Sequence, residues 1–380
     1  MIYSRFKLPS IYKALTGAVL LCLGQAASAV EVAPYFHSWG GSLIEAKQSA
    51  GMTSAILAFA VTRGNCALVP NFTNKLPDAR NYVASGGQLL LSFGGADGIY
   101  AEIACRDDNQ LFDLMEKVME DSGSRRFDFD IEGYQLLNTE GTARRARVLA
   151  RLQAKYPDLY VSFSLPGWLR GLNPPAIDLL TTTQAAGVRI DMVNVMTMSF
   201  GQENLRTMVM PSTVGQASVM TFRATANQMA AIFPNKSQPQ IYAMMGISPM
   251  IGKNDDGSTF TLDDARTVAE FANANGVGLI SYWSFQRDRA QATNGNNDLN
   301  SFSGVAQSNF EFHSIFKSAG GNNVAAAGAR ACDASTWTQG RQYGAGSVVS
   351  YPDGNAYIAT FSNPGYNPTV STYFWSRYAC

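Results

Sequence analysis

Residues 127 to 133 read Phe-Asp-Phe-Asp-Ile-Glu-Gly, an alternation of apolar and acidic side chains with a period of two. In a β-strand successive side chains point to opposite faces, so Asp128, Asp130 and Glu132 would share one face while Phe127, Phe129 and Ile131 pack behind them. Three carboxylates in a row repel one another and are costly to desolvate, so the row is expected to be used, for proton transfer or for holding a metal. A hard cation such as calcium or magnesium would suit carboxylates alone, but the chain has only two histidines, His37 and His313, and no clustered partner acids. A purely structural strand could hide one carboxylate against a buried arginine, and three in alternation are not handled that way. The chemistry that fits is acid catalysis, with Glu132 at the end of the strand donating a proton and Asp130 holding and tuning it. Neither metal nor cofactor is expected.

A row of this kind needs a frame. Eight short apolar segments recur, at Val32–Trp39, Ser54–Val61, Gln88–Gly94, Phe127–Glu132, Tyr160–Leu165, Met192–Met198, Ile241–Ile247 and Gly278–Ser284. Several are continuous runs, such as Leu89-Leu90-Leu91, as expected of parallel strands covered on both faces. Helical stretches lie between many of them, around Ala143–Lys155 and Leu262–Asn275 among others. Repeated strand–helix units over roughly 250 residues predict an α/β fold, a (β/α)8 TIM barrel. A doubly wound open sheet would give a similar pattern. The barrel is favoured because Ser92, Glu132, Ser199 and Ser284 all fall at the C-terminal ends of predicted strands.

The 380 residues contain 46% hydrophobic and 15% charged residues, with Lys+Arg and Asp+Glu both 29, so nucleic acid is not an expected partner. Arg5, Lys7 and Lys13 precede the apolar stretch Ala14 to Leu23, and Ala27-Ser28-Ala29 follows as a small-x-small cleavage site. Residues 1–29 therefore read as a signal peptide, and the apolar stretch is too short to span a bilayer comfortably. Leu20-Leu21 before Cys22 argues against a lipoprotein signal. The mature chain is expected to be secreted, extracellular, slightly acidic and monomeric. Export makes disulfides available, and proximity favours Cys66–Cys105 and Cys332–Cys380. Residues 318–331 are small and poor in core formers and read as a linker between residues 30–317 and a second unit. Residues 332–380, with Trp337, Tyr343, Tyr351, Tyr357, Phe361, Tyr366, Tyr373, Phe374, Trp375 and Tyr378, read as a small all-β module.

The acid row resembles the signature of the glycoside hydrolase family 18 chitinases, Asp-x-Asp-x-Glu, matched by Asp128, Asp130 and Glu132. Ser92-Phe93-Gly94-Gly95 is similar to that family's Ser-x-Gly-Gly. Asn194-Val195-Met196-Thr197-Met198, Pro249-Met250-Ile251-Gly252 and Ser281-Tyr282-Trp283-Ser284 with Arg287-Asp288 look like one bacterial branch of it. The resemblance spans roughly residues 32–317. It implies hydrolysis of β-1,4 links between N-acetylglucosamine units with retention, through an oxazolinium ion formed by the substrate's own acetamido group. It makes Glu132 the general acid and base, lets Asp130 turn from Asp128 toward Glu132, and gives Asp128 a share of the charge. It makes Trp283 the floor of the cleavage site, and adds Tyr35, Ser92, Gly94, Gly95, Met196, Met198 and Ser199 as substrate-binding candidates. Ser92 and its glycines would shape the cleft rather than take part in chemistry.

The sequence departs from that pattern at Arg125-Arg126, where the family usually has Asp-Gly, and at Ser199 and Phe200, where it commonly places an acid and a tyrosine. Those departures imply a lower rate or a shifted pH profile. They leave open a catalytically silent, chitin- or glycan-binding adhesin, against which Glu132 itself argues. An endo-β-N-acetylglucosaminidase acting on glycoprotein glycans shares the family and mechanism. Trp337, Tyr343-x-x-Gly346, Val349-Ser350-Tyr351, Gly354-x-x-Tyr357, Pro368 and Trp375 resemble the chitin-binding modules of carbohydrate-binding families 5 and 12. Most of those aromatics are expected to be core, with Phe361 and Tyr366 as the rings free to stack on a sugar face. The partners implied are chitin or N-acetylglucosamine-containing glycans.

Overall fold

The structure is a computed structural model, and it describes residues 30–201, 213–291, 298–321, 334–344, 347–359, 363–371 and 374–378. The signal peptide read from residues 1–29, the Cys332–Cys380 pair and Phe361 lie outside the described residues.

The strands are β1 (Glu31–Val32), β2 (Tyr35–His37), β3 (Ser54–Ala60), β4 (Gln88–Gly94), β5 (Arg126–Asp130), β6 (Tyr160–Trp168), β7 (Gly171–Leu172), β8 (Met192–Met196), β9 (Met245–Ser248), β10 (Gly252–Lys253), β11 (Thr259–Phe260) and β12 (Leu279–Ile280). Parallel pairing runs from β2 through β3, β4, β5, β6, β8, β9 and β12 to β1. Because β1 and β2 are two pieces of one extended stretch, the ladder returns to where it began: Ala33 N donates to Ile280 O at 2.9 Å and Ile56 N to Pro34 O at 2.9 Å. The result is a mixed α/β fold with a parallel sheet, consistent with a (β/α)8 barrel. β7 is a short antiparallel return on β6, and β10–β11 form a hairpin beyond β9.

The faces of each strand divide as the alternation requires. Ala55, Leu57, Leu89, Leu91, Phe127 and Phe129 belong to the large core beneath the helices, whereas Tyr35, Ile56, Ala58 and Leu90 form a smaller cluster on the opposite face. Asp128 and Asp130 alternate with the phenylalanines and so point to that smaller, inner side. Between strands, the helix Thr139–Lys155 starts at Asn138, whose side chain accepts from Gly141 N, and Leu262–Asn275 is capped by Thr261 in a capping box with Asp264. Cys66 and Cys105 form a disulfide across a separation of 39 residues.

Two boundaries differ from the sequence expectation. Residues 241–243, read as strand, finish the helix Gln238–Ala243, and the strand begins only at Met245. Ser237 and Gln240 close a capping box there with Pro at the start of the helix, which outweighs the apolar run. The helix Glu311–Gly321 carries Phe312 and Phe316 into the core and continues through residues 318–321, the beginning of the stretch read as linker. Beyond it, β13 (Ser335–Thr336), β14 (Val348–Ser350), β15 (Ala356–Ala359) and β16 (Trp375–Tyr378) pair in that order around Tyr343, Val349, Tyr357, Ala359 and Trp375.

Candidate active site

Asp128 lies at the bottom of the acid row, fully buried. Its Oδ2 accepts from Ser92 Oγ at 2.7 Å, with Tyr35 Oη 3.2 Å away, and its Oδ1 accepts from Ser164 Oγ at 2.9 Å. Burial pushes the Asp128 carboxyl above the usual carboxylate range, and the hydroxyls of Ser92 and Ser164 pull it back. Asp130, one step up the strand, is pushed well above that range by burial and then by the charges of Glu132 and Asp128. A hydrogen bond joins Asp130 to Glu132, while Asp130 Oδ1 is buried with no partner among the described residues. Glu132, half-buried, follows the last residue of β5 by two positions. Burial raises its carboxyl, the Asp130 hydrogen bond lowers it, and the nearby charges of Asp97 and Asp255 raise it. The row thus passes from a buried, hydrogen-bonded acid to a half-buried one whose carboxyl is raised.

The backbone that carries the row is held by two close approaches. Gly94 has φ +109°, and a β-carbon there would sit 2.0 Å from Asp130 O. Only glycine lets β4 run this near the acid-bearing strand. Tyr100 Oη lies 2.9 Å from Gly95 O and 3.0 Å from Asp130 O, and it accepts from Glu132 N at 3.1 Å. That bond fixes the peptide from which the Glu132 side chain springs.

Aromatic rings border the acids. Trp283 stacks on Phe59 with centroids 5.6 Å apart and an interplanar angle of 7°, and lies 5.9 Å from the Tyr35 ring. His37 sits between Trp283, at 4.8 Å, and Trp39, at 4.6 Å. Trp39 is 54% exposed. Burial, helped by Arg287, lowers His37 to about 4, so the ring is neutral at neutral pH. The strip Trp39–His37–Trp283–Phe59 is therefore aromatic and uncharged, the kind of surface that suits the C–H face of a ring-shaped polar ligand.

The remaining predicted residues are placed as follows. Tyr35, Ser92, Gly94 and Gly95, read as substrate-binding, are buried beneath the acids: Tyr35 and Ser92 hydrogen-bond Asp128, and the glycines make room for Asp130 O and the Phe59 ring. Met196 is buried and Met198 half-buried past the end of β8. Ser199, at φ 50°, donates its N–H to Asn254 Oδ1 at 3.2 Å. Phe200 packs into the large core. Arg126 makes a bidentate pair with Glu31, both bonds 2.8 Å, and Arg125 pairs with Asp158 at 2.9 Å. Both arginines stand at the start of β5, the end opposite Glu132, and neither touches the acids. In the C-terminal sheet Tyr366 is 44% exposed, and its carbonyl accepts from Trp337 Nε1 at 3.2 Å and Trp375 Nε1 at 2.7 Å.

Sequence reasoning overlooked Tyr100, Ser164, Trp39 and His37. An indole and an imidazole closing a predicted strand at the catalytic rim were a usable signal; Tyr100 and Ser164 carried none. Among the described residues no group of three or more His, Cys, Asp or Glu is arranged to hold a metal ion, and no helix is long and apolar enough to cross a membrane.

No protein-family model matches the chain. In sequence it is 30% identical over 242 residues to an Escherichia coli (strain K12) protein described as "Probable bifunctional chitinase/lysozyme", and 31% identical over 214 residues to "Endochitinase 11" of Metarhizium anisopliae. These stretches cover 61% and 54% of this chain but only 27% and 40% of those relatives. In structure it is similar to the catalytic domain of the hyperthermophilic chitinase of Pyrococcus furiosus, with 27% identity, a TM-score of 0.67, and coverage of 77% of this chain and 97% of that one. Catalytic-site mutants of active domain 2 of the Pyrococcus enzyme, complexed with chito-oligosaccharides, match with a TM-score of 0.66. The curated relatives and the solved structures matched here are all described as chitinases, and the chain spans less than half the length of those curated relatives.

Proposed function

We propose that the protein is a secreted chitinase that hydrolyses β-1,4 links between N-acetylglucosamine units with retention of configuration. The observation that carries this reading is the graded acid row: Asp128 hydrogen-bonded on both oxygens, Asp130 hydrogen-bonded to Glu132 with one buried oxygen unpartnered, and Glu132 half-buried at the end of the row.

In this reading the raised Glu132 carboxyl is protonated when substrate binds and delivers its proton to the glycosidic oxygen. The acetamido carbonyl oxygen of the same sugar attacks the anomeric carbon as the bond to the leaving oxygen breaks, giving an oxazolinium ion. Asp130 Oδ1 accepts the acetamido N–H, which orients the internal nucleophile and offsets its developing positive charge. Glu132, now a carboxylate, takes a proton from water as that water attacks the anomeric carbon and opens the ring. Trp283 lies under the sugar that reacts.

The chain is also read as entering the export pathway through residues 1–29. Its C-terminal sheet is read as a chitin-binding module that raises the enzyme's concentration at an insoluble polymer. Replacing Glu132 by Gln keeps the shape and removes the titratable proton. Release of reducing ends from colloidal chitin by Glu132→Gln should fall to the buffer baseline. Activity within twofold of the wild type would remove Glu132 from its role.

A further inference from the structure

Behind the acid row lies a second polar chain that crosses the inside of the sheet. Ser281 Oγ is 3.0 Å from Asn194 Oδ1, Asn194 Nδ2 is 2.9 Å from Ser164 Oγ, and Ser164 Oγ is 2.9 Å from Asp128 Oδ1. Tyr35 Oη also reaches Ser164 Oγ, at 2.6 Å. Ser281, Asn194 and Ser164 are fully buried.

A hydroxyl has one proton to give and two lone pairs to fill. When Ser164 accepts from Tyr35 and from Asn194, both lone pairs are used, and its proton has one place left to go, Asp128 Oδ1. With the Asn194 amide turned over, its Oδ1 would claim that same proton and Asp128 would lose a donor in a fully buried site. Ser281, donating to Asn194 Oδ1, closes the far end of this arrangement. We propose that Ser281, Asn194 and Ser164 are positioning residues: a one-directional chain of donors that holds Asp128 as an anion, so that the proton of the inner acid pair stays on Asp130. This rests on the reading of the acid row as catalytic and gives that row a built-in asymmetry.

The groups facing Asp128 are few. Tyr35 is the titratable side chain from β2, and Asp130 is the neighbour on its own strand. β4 and β6 offer the hydroxyls of Ser92, Ser162 and Ser164, β8 offers the neutral amide of Asn194, and β3 faces the interior with Ile56 and Ala58. Asp130 is the nearest ionisable competitor for the proton; the serine hydroxyls bond Asp128, and Tyr35 lies within reach of both acids.

The test reads Asp128 directly. Infrared difference spectra between wild type and Asp128→Asn isolate the band of the protonated Asp128 carboxyl, which can be followed against pH whether or not the protein turns over substrate. Removing one hydrogen bond to an ion, converted to a shift in protonation midpoint, moves it by roughly 1 to 2 pH units. Ser164→Ala should therefore raise the Asp128 midpoint by that amount and carry the acid limb of the pH–rate profile upward with it. Asn194→Leu, which frees the Ser164 hydroxyl to rotate, should move the midpoint the same way by less. Should Ser164→Ala fold poorly, the equal-sized pair Ser164→Thr and Ser164→Val decides: the threonine should stay near wild type and the valine should shift. A midpoint in Ser164→Ala, or in the valine variant, that coincides with the wild type would overturn the proposal. Absence of any turnover in the wild type would instead count against the proposed function and leave the infrared midpoint to judge the chain.

Discussion

Under the strand that carries the acids, Arg145 and Glu102 form an ion pair with both side chains almost wholly out of water, at 2% and 3% exposure. The guanidinium lies 5.8 Å from the centroid of Phe129 and 5.7 Å from that of Phe163, so it braces the outer face of β5 at the residue between Asp128 and Asp130. Glu102 is its principal acceptor: Arg145 has besides it a 3.3 Å contact to Thr142 Oγ1, and its Nε is without a partner among the described residues. Glu102→Leu therefore strands a buried cation, and Arg145→Leu strands a buried carboxylate. Breaking a pair of this kind from one side costs ~3–5 kcal/mol, whereas replacing both members with apolar groups is often close to neutral. The double variant should lose far less than the sum of the singles, with a coupling of at least ~2 kcal/mol. Urea unfolding of the four proteins, followed by tryptophan fluorescence at neutral pH, measures each term. Because the pair backs the acid strand, the singles should also lose turnover while the double regains most of it. Additive losses, or a single variant costing less than ~1 kcal/mol, would show that water or a neighbour replaces the lost partner and would refute the argument.

Asp130→Asn should separate stability from activity. The folded carboxyl is held above its unfolded value, so its favourable contribution is complete below the unfolded pKa and is lost as pH rises through the folded one. The variant should accordingly gain stability over wild type at pH 8 and gain less at pH 4, while turnover falls by about 10²-fold. Equal urea midpoint differences at the two pH values would contradict this. Trp39→Ala, at an exposed ring, should leave the melting temperature within experimental scatter and raise KM for chito-oligosaccharides by roughly threefold to tenfold through lost stacking, with kcat changed less than twofold. A larger effect on kcat than on KM would place Trp39 in the chemistry instead.

The acid row could be read from residues alone because period-two alternation is a local property: Phe127 and Phe129 had to pack, so Asp128 and Asp130 had to face the other way. The same holds for most strand positions, set by runs such as Leu89-Leu90-Leu91, and for the helix Leu262–Asn275, bounded by Thr261 and Gly276. Residues 241–243 misled because a short apolar run serves a strand or a buried helix turn equally, and the capping box at Ser237 decided between them. What the chain order hides is pairing at distance. Nothing near Ser164 announces Asp128, 36 residues away, and nothing near Glu102 announces Arg145, 43 residues away. Arg125 and Arg126 looked like a disturbance of the acids only because they are close in sequence. The pleat carries them to the far end of the strand, where Glu31 and Asp158 neutralise them.

The distribution of hydrogen bonds along the row says where the fold's interest ends and the reaction's begins. If the acids served stability alone, each would be expected to collect donors, since an unmet buried acceptor costs about 1–3 kcal/mol. Asp128 does collect them, a serine hydroxyl on each oxygen with Tyr35 Oη at 3.2 Å besides. Asp130, buried almost as deeply, leaves Oδ1 without a partner among the described residues, although serine hydroxyls serve the acid next to it. A strand under selection for packing would have filled that position from β4 or β6, where Ser92 and Ser164 show that hydroxyls fit. Gly94, which faces Asp130 across the ladder, offers no side chain at all, and its backbone could not tolerate one. The acceptor is thus left open between a glycine on one neighbouring strand and, on the other, a serine whose proton goes to Asp128, and a donor arriving with substrate is what would complete it.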